Sequence, residues 1–172
     1  MLRGLAVFFV IAACVMMAHK LGHYAVGRQV VGIPAGSLRL VVLHLPQYVA
    51  LKTDHQWVSP LAFEAYLDAY RMYDPKENHL VAFLAAGVLA QTACVVVLAV
   101  TSLVAGVSFV GQSAVLVSAM LTSFHLFSDL GARLHLGTPS GDFSALFEQS
   151  PSTAVAVLAM FVVSHGLLYS LF

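Results

Sequence analysis

Histidine-19 and histidine-23 stand one helical turn apart in the run Ala18-His19-Lys20-Leu21-Gly22-His23-Tyr24. Side chains at i and i+4 share one face of a helix, so two imidazoles at this spacing can share one metal ion. The pair closes a long apolar run, where polar groups are costly and usually have a task. The other reading is a pair of interfacial histidines at a helix end. A zinc site needs further ligands, and two carboxylates compete. Asp129 ends a second apolar run, in Phe124-His125-Leu126-Phe127-Ser128-Asp129, with His125 one turn before it on the same face. Asp142 lies in Ser140-Gly141-Asp142, within the turn-rich stretch GTPSGDF. Asp129 is preferred because a helix fixes it, whereas Asp142 depends on loop order. Capping a loop, or pairing with Arg133, is the plainer role for Asp129, and a turn is the plainer role for Asp142. His125 is a candidate ligand or an orienting partner of one.

The elements that must carry these residues are apolar helices. Of the 172 residues, 60% are hydrophobic and 9% charged, against roughly 25% charged in a soluble domain. Lipid is the solvent that such a chain suits, provided its backbone bonds internally. Four runs approach or exceed the roughly 20 residues that a span requires: about 5–26, 80–107, 113–130 and 153–172. Met1-Leu-Arg-Gly and the apolar run after it also fit a signal peptide, but the run continues through the spaced histidines, which favours a retained span. The expected fold is all-α and membrane-integral, a single domain with a small β-hairpin insertion after the first span.

Formal net charge is zero, so nothing electrostatic favours a nucleic acid. Arg28, Arg39, Lys52, Arg71 and Lys76 fall between the first and second runs and Arg133 between the third and fourth, while Arg3 alone falls on the other side. The positive-inside bias therefore predicts both termini outside, with the long loop 27–79 in the cytoplasm. Within it, VVGIPAGSLRLVVLHLPQYVALK has the β-branched content and Pro/Gly punctuation of a hairpin or short sheet. Ser59-Pro60 then opens a stretch with Phe63, Tyr66, Leu67 and Tyr70 at helical spacing. That pattern predicts a short amphipathic helix in the membrane interface, anchored by Trp57 and ended by Asp74-Pro75. Cys14 and Cys94 lie in apolar runs and read as buried thiols. Gln91 and His165, polar within spans, read as hydrogen-bonding across helices. His44, His55, His79 and His135 have no evident partners.

In this order of features the chain resembles the site-2 protease family of intramembrane zinc metalloproteases. His19-Lys20-Leu21-Gly22-His23 matches the family's H-E-x-x-H except at the glutamate. Ala86-Gly87-Val88-Leu89-Ala90-Gln91 stands where the family has A-G-P-x-x-N, with the proline lost and Gln for Asn. The family's N-x-x-P before a D-G pair has no counterpart. The resemblance covers about residues 5–150. It implies zinc held by His19, His23 and Asp129 (or Asp142), and peptide hydrolysis within a transmembrane-segment substrate. It also places Lys20 at the general base. Lysine, with a reference pKa of about 10.4, is a cation at neutral pH, so activity is expected to be weakened or lost unless burial lowers that pKa. A non-catalytic protein that binds membrane partners through the same groove, and a small transporter or assembly subunit handling protons or metal, are the alternatives.

Overall fold

The computed structural model describes residues 2–43, 47–54, 56–139 and 141–172. His44, His55 and Ser140 fall outside them, as do residues 1, 45 and 46.

Four helices are long and apolar enough to cross a membrane: α1 (Leu2–Gln29), α3 (Leu80–Val104), α4 (Ser108–Leu136) and α6 (Pro151–Tyr169). Helices α1 and α4 extend beyond the apolar runs that announced them, because helical backbone continues through polar residues until a signal stops it, whereas α3 stops three residues short of its run and α6 starts and ends earlier than its own. For α4 that signal is Gly137, at φ 74°, whose amide bonds back to the Arg133 carbonyl. For α6 the start is Pro151, whose missing N–H costs nothing in a first turn. The central helix is α3, packed against α1, α4 and α6.

Residues between α1 and α3 fold into a small cap. A three-stranded antiparallel sheet is built from β1 (Leu38–Val41), β2 (Tyr48–Lys52) and β3 (Trp57–Val58) in the order β1-β2-β3. Leu38 pairs with Leu51, and Leu51 with Val58. The expected hairpin is thus present, with a third strand added. Helix α2 (Phe63–Arg71) follows. Its buried residues Tyr66, Leu67 and Tyr70 turn into the same core as Val49 and Leu51 of β2 and Leu80, Phe83 and Leu84 of α3, and the Tyr66 hydroxyl donates to the Val49 carbonyl at 3.0 Å. The amphipathic stripe therefore faces the protein's own sheet and not the membrane interface. Trp57 is 40% exposed on β3, with the Arg39 guanidinium 5.9 Å from its ring centroid. Asp74 ends the segment after α2 by accepting from the His79 amide at 2.8 Å and the Tyr70 hydroxyl at 3.1 Å. His79, whose ring lies 3.4 Å from the same carboxylate, does have a partner.

A second apolar core forms at the opposite end of the bundle, from Ile11, Val15, Val95, Ala99, Ala114, Val115, Val117 and Leu168. Both cysteines are free. Cys14 is exposed on the outer surface of α1 and Cys94 is half-buried, so neither is enclosed by protein as expected. A helix facing lipid satisfies its apolar residues outwardly as well as inwardly.

The stretch before α6 is not an open loop. It contains α5 (Asp142–Gln149), joined to α6 by Ser150 alone.

Candidate metal centre

His19 and His23 are buried on the face of α1 that meets α3. The two helices can approach this closely because each contributes a glycine to the contact, Gly22 against Ala86 and Ala90 and Gly87 against the two imidazoles. A Cβ on Gly22 would collide with the Ala86 carbonyl oxygen, and one on Gly87 with the Nε2 atoms of both imidazoles. Gly87 is thus the floor on which the two rings rest.

Each ring is held by its inner nitrogen. His23 Nδ1 lies 2.8 Å from the Phe83 carbonyl. A carbonyl only accepts, so Nδ1 carries the proton and Nε2 is bare. His19 Nδ1 lies 2.9 Å from Gln91 Oε1. The amide is oriented by its other end, whose nitrogen donates to Ser118 Oγ and Thr122 Oγ1 at 2.8 Å each and faces the Ser118 carbonyl at 3.4 Å. The oxygen must therefore face His19, which donates from Nδ1 and also presents a bare Nε2.

Both bare nitrogens point at one carboxylate oxygen. Asp142 Oδ2 is 3.0 Å from His19 Nε2 and 3.1 Å from His23 Nε2, and the two nitrogens are 3.2 Å apart. These three side chains form a group able to hold a metal ion. Burial works against a charge on Asp142, but once a proton sits on the imidazole nitrogens that face it, His23 and His19, with Lys20 nearby, outweigh burial and hold its carboxyl well below the usual carboxylate range. Burial and the Asp142 charge raise the Tyr66 phenol above its ordinary value, so it stays a neutral donor.

Asp129, the preferred carboxylate, does something else. It accepts the Ser144 amide at 2.7 Å and bonds the Ser144 hydroxyl. The reason lies in α5, whose first turn has unpaired amides and whose N-cap is Gly141, with no side chain to offer. A carboxylate reaching over from α4 takes that role, and a Cβ on Gly141 would press against it. Asp129 thus pins the turn that carries Asp142. The structure brings Asp142, and not Asp129, to the histidine pair, because Asp142 is itself the first residue of a helix. His125 lies edge-on to His19 with ring centroids 5.9 Å apart, beside the convergence rather than in it. Lys20, partly buried, lines a small cavity of about 40 Å³ with His23, Tyr48, Tyr66, Phe83 and Asp142. The sheet and α2 roof this cavity.

Two participants were undervalued in the sequence. Ser118 carries no motif, and only its place one turn from Thr122 on a buried face hints at a role. The short helix of Asp142 was hidden by the turn-rich residues before it.

No family model matches the chain, and neither the curated proteins nor the solved structures contain a match to it.

Proposed function

We propose that the chain is a site-2-protease-like zinc protein of the membrane, whose peptide hydrolysis is weakened by Lys20 in place of the catalytic glutamate. One observation carries the metal: two imidazole nitrogens, bare in the neutral rings, and a carboxylate oxygen converge within 3.2 Å of one another. Acceptors do not gather without a cation. Ligands about 2.0–2.2 Å from a tetrahedral zinc are roughly 3.3–3.6 Å from each other, within a few tenths of an ångström of the spacings here. When bound, zinc supplies Lewis acidity toward a peptide carbonyl and toward water.

The chain's own residues do the rest. His19, His23 and Asp142 hold the ion, and Gln91 and the Phe83 carbonyl keep both nitrogens aimed at it. Tyr66 and β2 wall the adjoining cavity, where an unwound segment of a membrane-spanning substrate would have to enter beneath the cap. Lys20 stands where the family's glutamate takes a proton from water, and a protonated amine cannot take one. Four apolar spans and the bias of Arg28, Arg39, Lys52, Arg71 and Lys76 support a multi-pass protein with both termini outside and the cap in the cytoplasm.

The decisive experiment is Lys20→Glu. Restoring H-E-x-x-H removes a cation from the ion's surroundings and supplies a base, an addition usually worth roughly 10²–10⁴ in rate. Higher zinc affinity and a gain of cleavage of a membrane-embedded test substrate are expected. Natural protein that cleaves as fast as the variant would make another residue the base. A variant that gains zinc yet cleaves nothing would favour the non-catalytic binding protein. A proton is the competing occupant of the three acceptors and underlies the proton-handling alternative, which stoichiometric zinc in the purified protein would remove.

A further inference from the structure

Beyond the three converging side chains, the bundle holds a second set of buried polar groups: Gln91 on α3, Ser118 and Thr122 on α4, and His165 on α6. Their hydrogen bonds have a determinable direction. His165 Nδ1 lies 2.9 Å from the Phe161 carbonyl, an obligate acceptor, so this nitrogen carries the proton and Nε2 is bare. Ser118 Oγ, 2.9 Å from that bare nitrogen, must donate to it. The same oxygen then accepts from Gln91 Nε2 at 2.8 Å, which turns Gln91 Oε1 toward His19 Nδ1. The result is one directional chain crossing four helices. His19 donates to Gln91, Gln91 to Ser118, Ser118 to His165, and His165 to its own helix.

We infer that His165 is a positioning residue for His19: acting through Ser118 and Gln91, it holds His19 as the Nδ1–H tautomer with Nε2 bare and facing Asp142. If His165 loses its acceptor, the Ser118 hydroxyl can turn its hydrogen elsewhere, including toward Gln91. The amide nitrogen then keeps only Thr122 Oγ1 at 2.8 Å and the Ser118 carbonyl at 3.4 Å, a weaker hold from which it can rotate toward His19 and release the tautomer. Chains of this kind polarise one another, and partners behind a metal ligand tune its affinity. The effect on metal rests on the proposed zinc reading, whereas the effect on the tautomer does not.

The test uses the full-length protein in micelles, with ¹⁵N-labelled histidine, free of metal and near pH 8. The His19 signals are identified by their loss in His19→Gln. Natural protein should show His19 as a single Nδ1–H tautomer. His165→Leu, Ser118→Ala and Gln91→Leu should each give a mixture. His165→Gln, whose amide oxygen can replace Nε2 as the acceptor, should restore the single form. In zinc titrations of the same proteins, Gln91→Leu should weaken binding by roughly 10–100-fold. His165→Leu should weaken it less, and the double variant should be no worse than Gln91→Leu alone, since both act along one path. A single Nδ1–H tautomer persisting in folded His165→Leu overturns the inference, as does an additive double variant. If His165→Leu does not fold, Ser118→Ala decides by the same reading. Tautomers that respond as described in a protein that binds no zinc would leave the positioning role standing and overturn the metal.

Discussion

The same four helices are joined in two different ways along their length. At one end Ile11, Val15, Val95, Ala99, Ala114 and Val117 meet as apolar surfaces, and a buried polar group such as Ser102 is satisfied on its own helix, by the Ala99 carbonyl at 2.9 Å. At the other end, side chains bond from helix to helix: α1 to α3 through His19 and Gln91, α3 to α4 through Gln91 and Ser118, and α4 to α6 through Ser118 and His165. In lipid there is no hydrophobic drive between helices, and association rests on packing and on such bonds. Apolar packing accepts any substitute of similar volume. A directional network accepts few, so one half of the bundle holds the helices together and the other half sets atomic positions.

Substitutions should separate the two halves, first by loss of the ligands themselves. His19→Ala or His23→Ala should remove zinc binding measured by titration calorimetry, a larger loss than the roughly 10–100-fold that follows loss of an outer partner. Asp142→Ala should come next. Gly87→Ala tests the floor of the site: its methyl group would displace both imidazoles, with an expected cost of about 1–3 kcal/mol in unfolding and a sharp fall in zinc affinity. Asp129→Ala should act less severely, lowering zinc affinity by about tenfold as the first turn of α5 loosens. If Asp129→Ala abolishes binding while Asp142→Ala spares it, the roles of the two carboxylates are reversed. Val95→Ala, in the apolar half, should cost about 1–3 kcal/mol and leave zinc affinity within about twofold. A Val95→Ala protein that loses zinc would show that the halves are not separable.

Much of this arrangement was legible in residue order. Hydropathy marks the four spans, and the i, i+4 histidines mark the face on which His19, His23 and Asp142 converge. The polar residues Gln91 and His165 stand out against apolar neighbours, and lipid leaves them to bond other polar groups inside the bundle, where Ser118 joins them. The third member of the convergence is not legible in residue order. A helix does hold a carboxylate better than a loop, which favours Asp129 in the sequence, but Gly141 and the proline- and serine-containing residues before it conceal that Asp142 also begins a helix. The amphipathic stripe of α2 is legible as a stripe, but the surface that covers it is the sheet. Periodicity reports that one face is apolar and says nothing of whether lipid or a sheet covers it.

The two sides of the histidine–carboxylate convergence are 123 residues apart in the chain. During synthesis at about 5–20 residues per second, His19 therefore emerges roughly 6–25 s before Asp142. For that interval α1 is a helix with two imidazoles whose carboxylate does not yet exist, and His165 follows later still. Metal offered early meets an incomplete set of ligands. If the centre binds zinc as proposed, loading must wait for α5, the helix that carries Asp142.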